Sequence, residues 1–437
     1  MSESHAARAI DGLMRLHPKG YDLSLGRITG LLDRLGTPQA NLPPVIHVAG
    51  TNGKGSTIAL ARAVLEAAGL SVHAHTSPHL VSWHERYRLA GELVGDDVLT
   101  ETIERVAAAN DGAPITVFEI LTAVMFLLFS EHAADVALVE VGLGGRCDAT
   151  NVLETAAVSV ITPVGLDHQM HLGDTLSAIA FEKAGILRAG VPAVIGTQDP
   201  EALATIRTRA LEIGAPLTTA GEDFTFEVER GRMVYRDDHG LLDLPLPALS
   251  GAHQMANAAT AIATARAFDR ERIDEDAAER GMAEAVWPAR LQRLREGALP
   301  ALLPKGAELW LDGGHNGHAG QALAAFMVAR RARDPRPLTL VVGMIDTKEP
   351  AAFLAPFLPE RPALACVPVG GSEAGIAPET LAATGKALGF PTTVYDDLAD
   401  ALASIAETND GPAPRVLICG SLYLAGEVLA ANGTPPR

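Results

Sequence analysis

Short apolar runs alternate with helix-like stretches through the first half of the chain. Residues 56–69 carry apolar side chains at the three- and four-residue spacing of a helix and end at a glycine. The apolar runs, which are typical of buried strands, cover residues 45–48, 71–75, 136–141, 157–162 and 193–196. Strands that alternate with helices in this way predict βαβ units and a mainly parallel sheet.

The pattern changes after residue 223 and later returns. Three short alternating pieces between residues 223 and 246 predict a small antiparallel section, and residues 253–268 predict a helix. Trp, Pro and Gly residues between 287 and 300 predict a linker, so a second domain is expected to begin near residue 296. Its strands are predicted at residues 308–311, 338–342, 363–367, 392–394 and 415–419.

Length and composition support two domains of the α/β class. The chain has 437 residues, of which 48% are hydrophobic and 4% aromatic, as in aliphatic cores where helices cover a parallel sheet. We therefore predict a larger parallel-sheet domain with a small antiparallel section over residues 1–295. A smaller, Rossmann-like α/β domain is predicted over residues 296–437.

Net charge and cysteine content indicate which binding partners and which cellular compartment to expect. A formal net charge of −18 argues against a nucleic-acid or anionic-membrane surface. The three cysteines are widely separated, odd in number and without metal-ligand spacing, which fits a reducing cytosol. The first residues lack an apolar signal core, and the longest strongly apolar run, residues 121–129, is too short to cross a bilayer. We expect a soluble, cytoplasmic protein whose partners are small molecules.

The sequence HVAGTNGKGST, at residues 47–57, lies between a predicted strand and a predicted helix. In that context a glycine-rich loop offers backbone N–H groups and the positive end of a helix dipole to phosphate, and Lys54 adds an ammonium group. An ordinary glycine-rich turn is the alternative interpretation. The motif departs from the usual P-loop, because Val48 replaces the first glycine and Gly55 replaces the hydroxyl residue that helps to hold Mg²⁺. The metal ligands must then come from elsewhere.

Three polar residues that follow predicted strands could supply those ligands. Ser77, Glu140 and His168 can converge at the carboxyl edge of one parallel sheet. Each also has an ordinary interpretation. Ser77 precedes a proline and could be a turn residue, Glu140 could pair with Arg146, and His168, which follows Asp167, could be a hydrogen-bonded polar residue.

Other polar residues lie on a helix and on turns of the second domain. Lys183 stands in the middle of a predicted helix among apolar neighbours, which by itself favours a surface lysine with an apolar stem. The second domain carries polar residues after its strands, where α/β proteins have their sites. These are Asp312, His315, Asn316, Asp346, Lys348 and Ser421.

An ordered set of motifs closely resembles the folylpolyglutamate synthase and dihydrofolate synthase family, within the Mur-type ATP-dependent ligases. The motifs are AGTNGKGST, TSPHL, FEILT, EVGLGGRCDATN, GLDH, EKAGI, WPARLQ, LDGGHN and CGSLYL. They extend from about residue 20 to about residue 425. The resemblance implies a P-loop ATPase and pterin-binding domain followed by a glutamate-binding domain.

The resemblance also implies a reaction. ATP would drive amide formation between the α-amino group of L-glutamate and a carboxylate of 7,8-dihydropteroate, or of tetrahydrofolate and its polyglutamates, through an acyl phosphate. Ser77, Glu140 and His168 would bind Mg²⁺. Lys183 matches a lysine that the family carbamylates, and the carbamate would bind a second Mg²⁺. This interpretation replaces that of a surface lysine. A monovalent cation is a further candidate cofactor.

Residue roles carry over by position. The catalytic candidates are Lys54, Lys183 and His315. The ATP-binding candidates are Thr51, Asn52, Gly53, Lys54, Gly55, Ser56, Asn257, Arg290 and Asp312. The pterin-binding candidates are Tyr21, Asp22, Leu23, Thr116, Val117, Phe118, Glu119, Cys147, Asp148 and Ala149, and the glutamate-binding candidates are Lys348 and Ser421.

Two segments depart from the family pattern. Asp312-Gly-Gly-His-Asn-Gly stands where the family often has Asp-x-Ala-His-Asn-Pro, so we expect a looser turn. Pro288-Ala289-Arg290 stands where Pro-Gly-Arg is common, so the linker backbone is expected to differ slightly.

Three alternative functions stay open. His79 within TSPHL favours the bifunctional bacterial members, and an enzyme that only extends polyglutamates is the first alternative. A Mur ligase that acts on a cell-wall nucleotide fits GKGS and GLGGRCDATN less well. A nucleotide-binding switch without ligation would require neither Lys183 nor Ser421. We expect a monomer.

Overall fold

The computed structural model describes residues 4–16, 24–372 and 374–437. The chain forms two compact units. The first comprises the described residues up to Gly165 together with Gln169–Ala248 and Met255–Val286. The second comprises Leu166–His168, Leu249–Gln254 and Trp287–Arg437. The functional division at residue 296 stays a prediction.

The strands that precede residue 287 form two sheets. They are β1 (Val45–Ala49), β2 (Val72–His75), β3 (Tyr87–Leu89), β4 (Glu92–Leu93), β5 (Val136–Glu140), β6 (Val158–Ile161), β7 (Ala193–Ile195), β8 (Leu217–Thr219), β9 (Phe224–Glu229), β10 (Arg232–Asp237) and β11 (Gly240–Pro245). The larger sheet has the order β4-β3-β2-β5-β1-β6-β7-β8, and it is parallel from β2 to β8. The smaller sheet, β11-β10-β9, is antiparallel.

These sheets confirm the predicted parallel sheet and its antiparallel section. The five predicted strands of the parallel sheet agree with β1, β2, β5, β6 and β7 to within one residue at each end. Strands β3, β4 and β8 are not evident from the sequence, because they are short and contain charged or hydroxyl residues, whereas the equally short β7 is a run of buried apolar residues.

Helices cover the sheets and supply much of the core. In this part of the chain they are α1 (His5–Leu16), α2 (Gly26–Arg34), α3 (Lys54–Ala67), α4 (Asp96–Asn110), α5 (Val117–Glu131), α6 (Gln169–Leu172), α7 (Leu176–Ala184), α8 (Pro200–Ile213), α9 (Ala252–Phe268) and α10 (Glu275–Glu284). The long apolar run at residues 121–129 is the buried part of α5. Among the described residues, no helix combines the length and the apolar character needed to cross a membrane.

The second unit carries a mixed sheet with helices around it. Its strands are β12 (Gln292–Leu294), β13 (Glu308–Leu311), β14 (Leu338–Val342), β15 (Ala363–Cys366), β16 (Thr392–Val394) and β17 (Arg415–Cys419). Its helices are α11 (Gly317–Arg333), α12 (Pro350–Leu354), α13 (Pro378–Ala387), α14 (Leu398–Glu407) and α15 (Leu422–Ala431). The sheet has the order β12-β13-β17-β14-β15-β16, with β12 antiparallel to β13 and parallel pairing beyond it. The predicted Rossmann-like sheet is confirmed, and β12 lies within the predicted linker.

A buried ion-pair network stabilises the amino end of β13 and β17. The Glu308 carboxylate accepts hydrogen bonds from Arg415 Nε at 2.6 Å and Arg330 Nη2 at 2.7 Å, and Arg293 Nη2 lies 3.2 Å away. Although burial opposes ionisation, the hydrogen bonds from Arg415 and Trp310 and the charge of Arg415 lower the pKa of Glu308 to about 2. The carboxylate therefore stabilises the folded protein at neutral pH.

Replacing Glu308 by glutamine should destabilise the protein by about 3–5 kcal/mol, because the buried Arg415 loses its closest anionic partner and keeps only Asp334, at 3.5 Å. Urea unfolding followed by circular dichroism measures the change. In the wild type, the contribution of Glu308 is present above the ordinary glutamate pKa of 4.5 and is lost as the pH falls toward about 2. The control is Glu131→Gln, whose exposed pair with Arg105 should contribute less than about 1 kcal/mol. Equal effects of the two substitutions would contradict the prediction.

Candidate active site

The loop between β1 and α3 has the backbone that a phosphate loop requires. Gly50 and Gly53 have φ angles of 152° and 86°, in the region that favours glycine. A Cβ atom at Gly50 would collide with Thr162, and one at Gly53 would lie 2.5 Å from Oδ1 of Asn257. Glycine is therefore needed at both positions, and α3 begins directly afterwards at Lys54.

Hydrogen bonds fix this loop to the segment that follows β6. The backbone N–H groups of Thr51 and Asn52 both donate to the Pro163 carbonyl, at 3.0 and 3.2 Å. The Thr51 hydroxyl donates to the Gly165 carbonyl and accepts from the Gly165 N–H, each at 3.0 Å. These hydrogen bonds to Pro163 and Gly165 fix the conformation of the loop, as a preformed binding site requires.

The Lys54 ammonium lies over the loop. Its Nζ is 3.2 Å from the Gly50 carbonyl oxygen, 3.4 Å from that of Thr51 and 3.9 Å from Oε1 of Glu140. Gly55 and Ser56 are buried in the first turn of α3, whose N-terminus presents N–H groups to an anion. The arrangement can bind a polyphosphate through backbone donors and one ammonium group.

Ser77 and Glu140 meet at the carboxyl ends of the neighbouring strands β2 and β5. The Ser77 N–H donates to Oε2 of Glu140 at 3.0 Å, and Glu140 is buried. Arg146, the partner considered for Glu140, pairs with Glu182 at 2.9 Å. Hydroxyl and carboxylate oxygens are ligands that Mg²⁺ accepts, so these two residues fit a magnesium site.

His168 belongs to the short segment that groups with the second unit, where its φ is 51°. Among the described residues there is no group of three or more His, Cys, Asp or Glu side chains that could hold a metal ion. The predicted ligand set contains only two residues of those types, because it uses the Ser77 hydroxyl and a modified Lys183. The metal roles stay predictions.

Lys183 is buried, so its interpretation as a surface lysine is wrong. Its residue is 4% exposed, and its Nζ donates to the Gly50 carbonyl at 2.9 Å. The glycine turn after β5 lies against the end of α7, since a Cβ atom at Gly145 would be 3.0 Å from the Lys183 carbonyl oxygen. This close approach places the lysine at the phosphate loop instead of in solvent.

The predicted pterin segments surround the carboxyl end of β5. Thr116 and Glu119 form a capping box at the start of α5, and the Phe118 ring contacts Gly142. Oε2 of Glu119 also accepts a hydrogen bond from Arg27 Nε at 3.1 Å. Arg27 was not among the site residues predicted from the sequence. Val117 is half-buried beside them.

The second pterin segment is held together by Asp148. Its Oδ2 accepts from the Leu143 N–H at 2.8 Å, and its Oδ1 accepts from the N–H and the hydroxyl of Thr150 at 3.0 and 2.5 Å. Burial raises the pKa of Asp148. Cys147 is half-buried and Ala149 is buried, whereas the predicted contacts Tyr21, Asp22 and Leu23 lie outside the described residues.

In the second unit, Asp312 organises the turn after β13. Its Oδ2 accepts from the Leu291 N–H and its Oδ1 from the Gly314 N–H, both at 2.7 Å. These bonds order the turn, and the expectation that it is looser than in the family stays a prediction. Arg290 Nη1 donates to the Ala289 carbonyl at 2.8 Å, and Ala289 has a φ of 55°, which is the conformation that favours the glycine common at this position.

A cluster of charged and polar side chains lies beside that turn. Asp167 Oδ1 is 2.6 Å from Lys348 Nζ, and Asp167 Oδ2 accepts from Asn316 Nδ2 at 3.0 Å. Burial opposes ionisation of Asp167, but the Lys348 charge holds its pKa well below the usual range. Burial and the same charge lower the pKa of His315 to about 4, so this imidazole is neutral at pH 7. Ser421 caps α15 by accepting a hydrogen bond from the Tyr423 N–H.

The chain is similar to known proteins along nearly its whole length. The profile of the dihydrofolate synthetase C-terminal domain family matches residues 300–431. The dihydrofolate synthase/folylpolyglutamate synthase of Escherichia coli (strain K12) is 35% identical over 418 residues, which cover 95% of this chain and 93% of that protein.

Two solved structures have the same fold. E. coli FolC in complex with DHPP and ADP has a TM-score of 0.85 and 34% identity, covering 98% of this chain and 97% of that one. A bifunctional folylpolyglutamate synthase/dihydrofolate synthase with Mn, AMPPNP and L-glutamate bound has a TM-score of 0.83 and 31% identity, covering 98% of both chains.

Fold and site together define a Mur-type ligase that uses a phosphate loop in one α/β unit and carries a second, Rossmann-like unit. Within that class, the chain belongs to the dihydrofolate synthase/folylpolyglutamate synthase family.

Proposed function

We propose that this protein is a bifunctional ligase of folate metabolism. It adds L-glutamate to 7,8-dihydropteroate, giving dihydrofolate, and to tetrahydrofolate and its polyglutamates. The observation that carries the proposal is the group formed by half-buried Lys54 and by buried Glu140 and Lys183 at the loop around Gly50. The ligands named for the two solved relatives, a nucleotide, a divalent metal, glutamate and DHPP, support the same reaction.

The proposed reaction has two displacements. A carboxylate oxygen of the pterin substrate attacks the γ-phosphorus of ATP, the bond to the bridging oxygen breaks, and ADP leaves. The amine nitrogen of glutamate then attacks the acyl carbon, the carbon–oxygen bond to phosphate breaks, and phosphate leaves. The ammonium group of glutamate gives up two protons overall, to phosphate and solvent, and keeps one as the amide N–H.

Lys54 and the proposed metal ligands would act on the phosphates of ATP. Lys54 is suited to stabilise negative charge on the transferring group, because its ammonium is held at the loop that would receive the triphosphate. Mg²⁺ held by Ser77, Glu140 and His168 would supply further neutralisation of phosphate charge. A carbamate on Lys183 would add an anionic oxygen ligand beside Gly50. We propose the remaining ATP and pterin candidates as binding residues.

Residues of the second unit would receive glutamate. Lys348 offers a positive charge and Ser421 a hydroxyl, and His315, which is neutral, is proposed as the catalytic group at the amine. We further propose two Mg²⁺ sites, a monovalent cation, a monomer, and a cytoplasmic location without nucleic-acid or membrane partners. The net charge of −18 and the isolated cysteines support the last proposals.

The function is tested by measuring ADP release with ATP, Mg²⁺ and L-glutamate, and with dihydropteroate and tetrahydrofolate supplied separately. We expect glutamate-dependent ADP release with each pterin. Release with tetrahydrofolate alone would establish polyglutamate extension as the single activity. Release with neither pterin would overturn the folate assignment. ATP binding without any glutamate-dependent release would favour the nucleotide-binding switch.

A further inference from the structure

Asp167 has no part in the proposed function so far, although it is the centre of the charged cluster in the second unit. Its side chain is 11% exposed, and that of Lys348 is 7% exposed. Its Oδ1 pairs with Lys348 at 2.6 Å and also accepts a hydrogen bond from the His168 N–H at 2.9 Å, and its Oδ2 accepts one from Asn316 at 3.0 Å. A buried carboxylate among the residues proposed to receive an amino acid requires an explanation, because burying charge is costly.

The hydrogen bonds of His315 define which of its ring nitrogens accepts. Its Nδ1 lies 2.9 Å from the Gly313 carbonyl oxygen. A carbonyl can only accept, so Nδ1 carries the hydrogen, and Nε2 of the neutral ring has a lone pair. That Nε2 atom is 3.8 Å from Oδ2 of Asp167, which is too long for a direct hydrogen bond. Two acceptors therefore face each other across a short gap.

We propose that Asp167 and His315 together bind the α-ammonium group of L-glutamate, while Lys348 binds one of its carboxylates. An ammonium group has three N–H donors. It can therefore direct one N–H to Oδ2 of Asp167 and another to Nε2 of His315, which lie 3.8 Å apart. The proposal rests on the proposed function and deepens it by assigning a group to each charge of the amino acid.

Charge complementarity supports this assignment. Glutamate at neutral pH carries one positive and two negative charges, and the cluster offers the opposite signs in Asp167 and Lys348. When glutamate binds, Lys348 turns from Oδ1 of Asp167 to a carboxylate of the substrate, and the ammonium group between Oδ2 of Asp167 and Nε2 of His315 supplies the positive charge that Asp167 loses. The carboxylate keeps the Asn316 hydrogen bond, so the acceptor stays in position. The site would then select amino acids with a free ammonium group over simple dicarboxylates.

The test compares glutamate with glutarate, which has both carboxylates and lacks the amine. In Asp167→Asn, the KM for glutamate should rise about tenfold or more, since a hydrogen bond to a charged group is lost. The KM for ATP should stay within about twofold. The inhibition constant of glutarate should be unchanged or lower, because Lys348 no longer has an anionic partner.

Glu349→Gln is the matched control, because it removes one negative charge beside Lys348 at an exposed position. It should change none of these constants by more than about twofold. If Asp167→Asn raises the inhibition constant of glutarate as much as the KM for glutamate, Asp167 only positions Lys348, and the assignment of the ammonium group is overturned. Unchanged KM for glutamate would overturn it as well. A wild type without glutamate-dependent ADP release would overturn the proposed function itself. Thermal unfolding by circular dichroism establishes that the variants are folded.

Discussion

Replacing Lys54 by methionine is expected to lower the turnover of ATP-dependent ligation by about 10²–10³-fold. The methionine has similar length but no charge, so the negative charge that develops on the transferring phosphoryl group loses its ammonium partner. The loop loses the two hydrogen bonds from Lys54 to the Gly50 and Thr51 carbonyls, but the N–H groups of Thr51 and Asn52 still hold it through the Pro163 carbonyl. The loss should therefore appear in kcat, measured as ADP release at saturating ATP, more than in the KM for ATP.

Arg62→Met provides the control for Lys54→Met. Arg62 lies on the same helix, α3, and pairs with Glu66 at 3.3 Å. This substitution removes the same charge and should change kcat by less than about twofold, since a pair four residues apart on a helix contributes little. Turnover near the wild-type level in Lys54→Met would show that the loop does not act on a phosphoryl group.

Replacing Lys183 by alanine is expected to lower turnover on the order of 10²-fold. The proposed reason is that the ammonium group first loses a proton, that the resulting amine reacts with CO₂ to give a carbamate and a second proton, and that a carbamate oxygen would bind metal beside Gly50. A wild-type sample supplied with ¹³C-bicarbonate should then give a carbamate signal in the ¹³C NMR spectrum, and the Lys183→Ala sample should lack it. Loss of that signal is independent of enzyme activity.

Lys183→Arg separates the carbamate from the simple ammonium. Arginine keeps the positive charge and can donate to the Gly50 carbonyl, as Lys183 does at 2.9 Å, but it forms no carbamate. We expect Lys183→Arg to be as impaired as Lys183→Ala. An active Lys183→Arg enzyme, or a wild type without a carbamate signal, would remove the proposed modification while leaving the hydrogen bond as the role of this residue.

The central strands could be predicted because strands that are buried on both faces consist mostly of consecutive apolar residues. Every residue of β5 and β17 is buried, so both read as continuous apolar runs with few polar interruptions. Strand β12 has no such apolar run. Its three residues, Gln292–Leu294, become a strand because the edge of β13 is available for antiparallel pairing, which is a property of the folded unit.

The positions of the candidate ligands were predicted in a similar way, but their contacts were not. Strand ends indicated Ser77 and Glu140, and they do meet through a 3.0 Å hydrogen bond. The apolar neighbours of Lys183 suggested a solvent-exposed lysine, and only the packing of α7 against the turn at Gly145 explains its burial. Asp148 was predicted as a pterin contact, and that role stays a prediction. Both of its carboxylate oxygens accept hydrogen bonds from the chain itself, which depends on how the turn folds.

The sequence by itself determined the central strands of both large sheets, the phosphate loop and the family, because apolar periodicity and motif spacing are local properties. Tertiary structure alone decided the pairing of Asp167 with Lys348, residues that lie 181 positions apart. It also decided which carboxylate oxygens, such as those of Asp148, accept hydrogen bonds from the chain itself. Such contacts depend on which elements pack together and on how far burial strengthens each charge, and neither is encoded in the neighbouring residues.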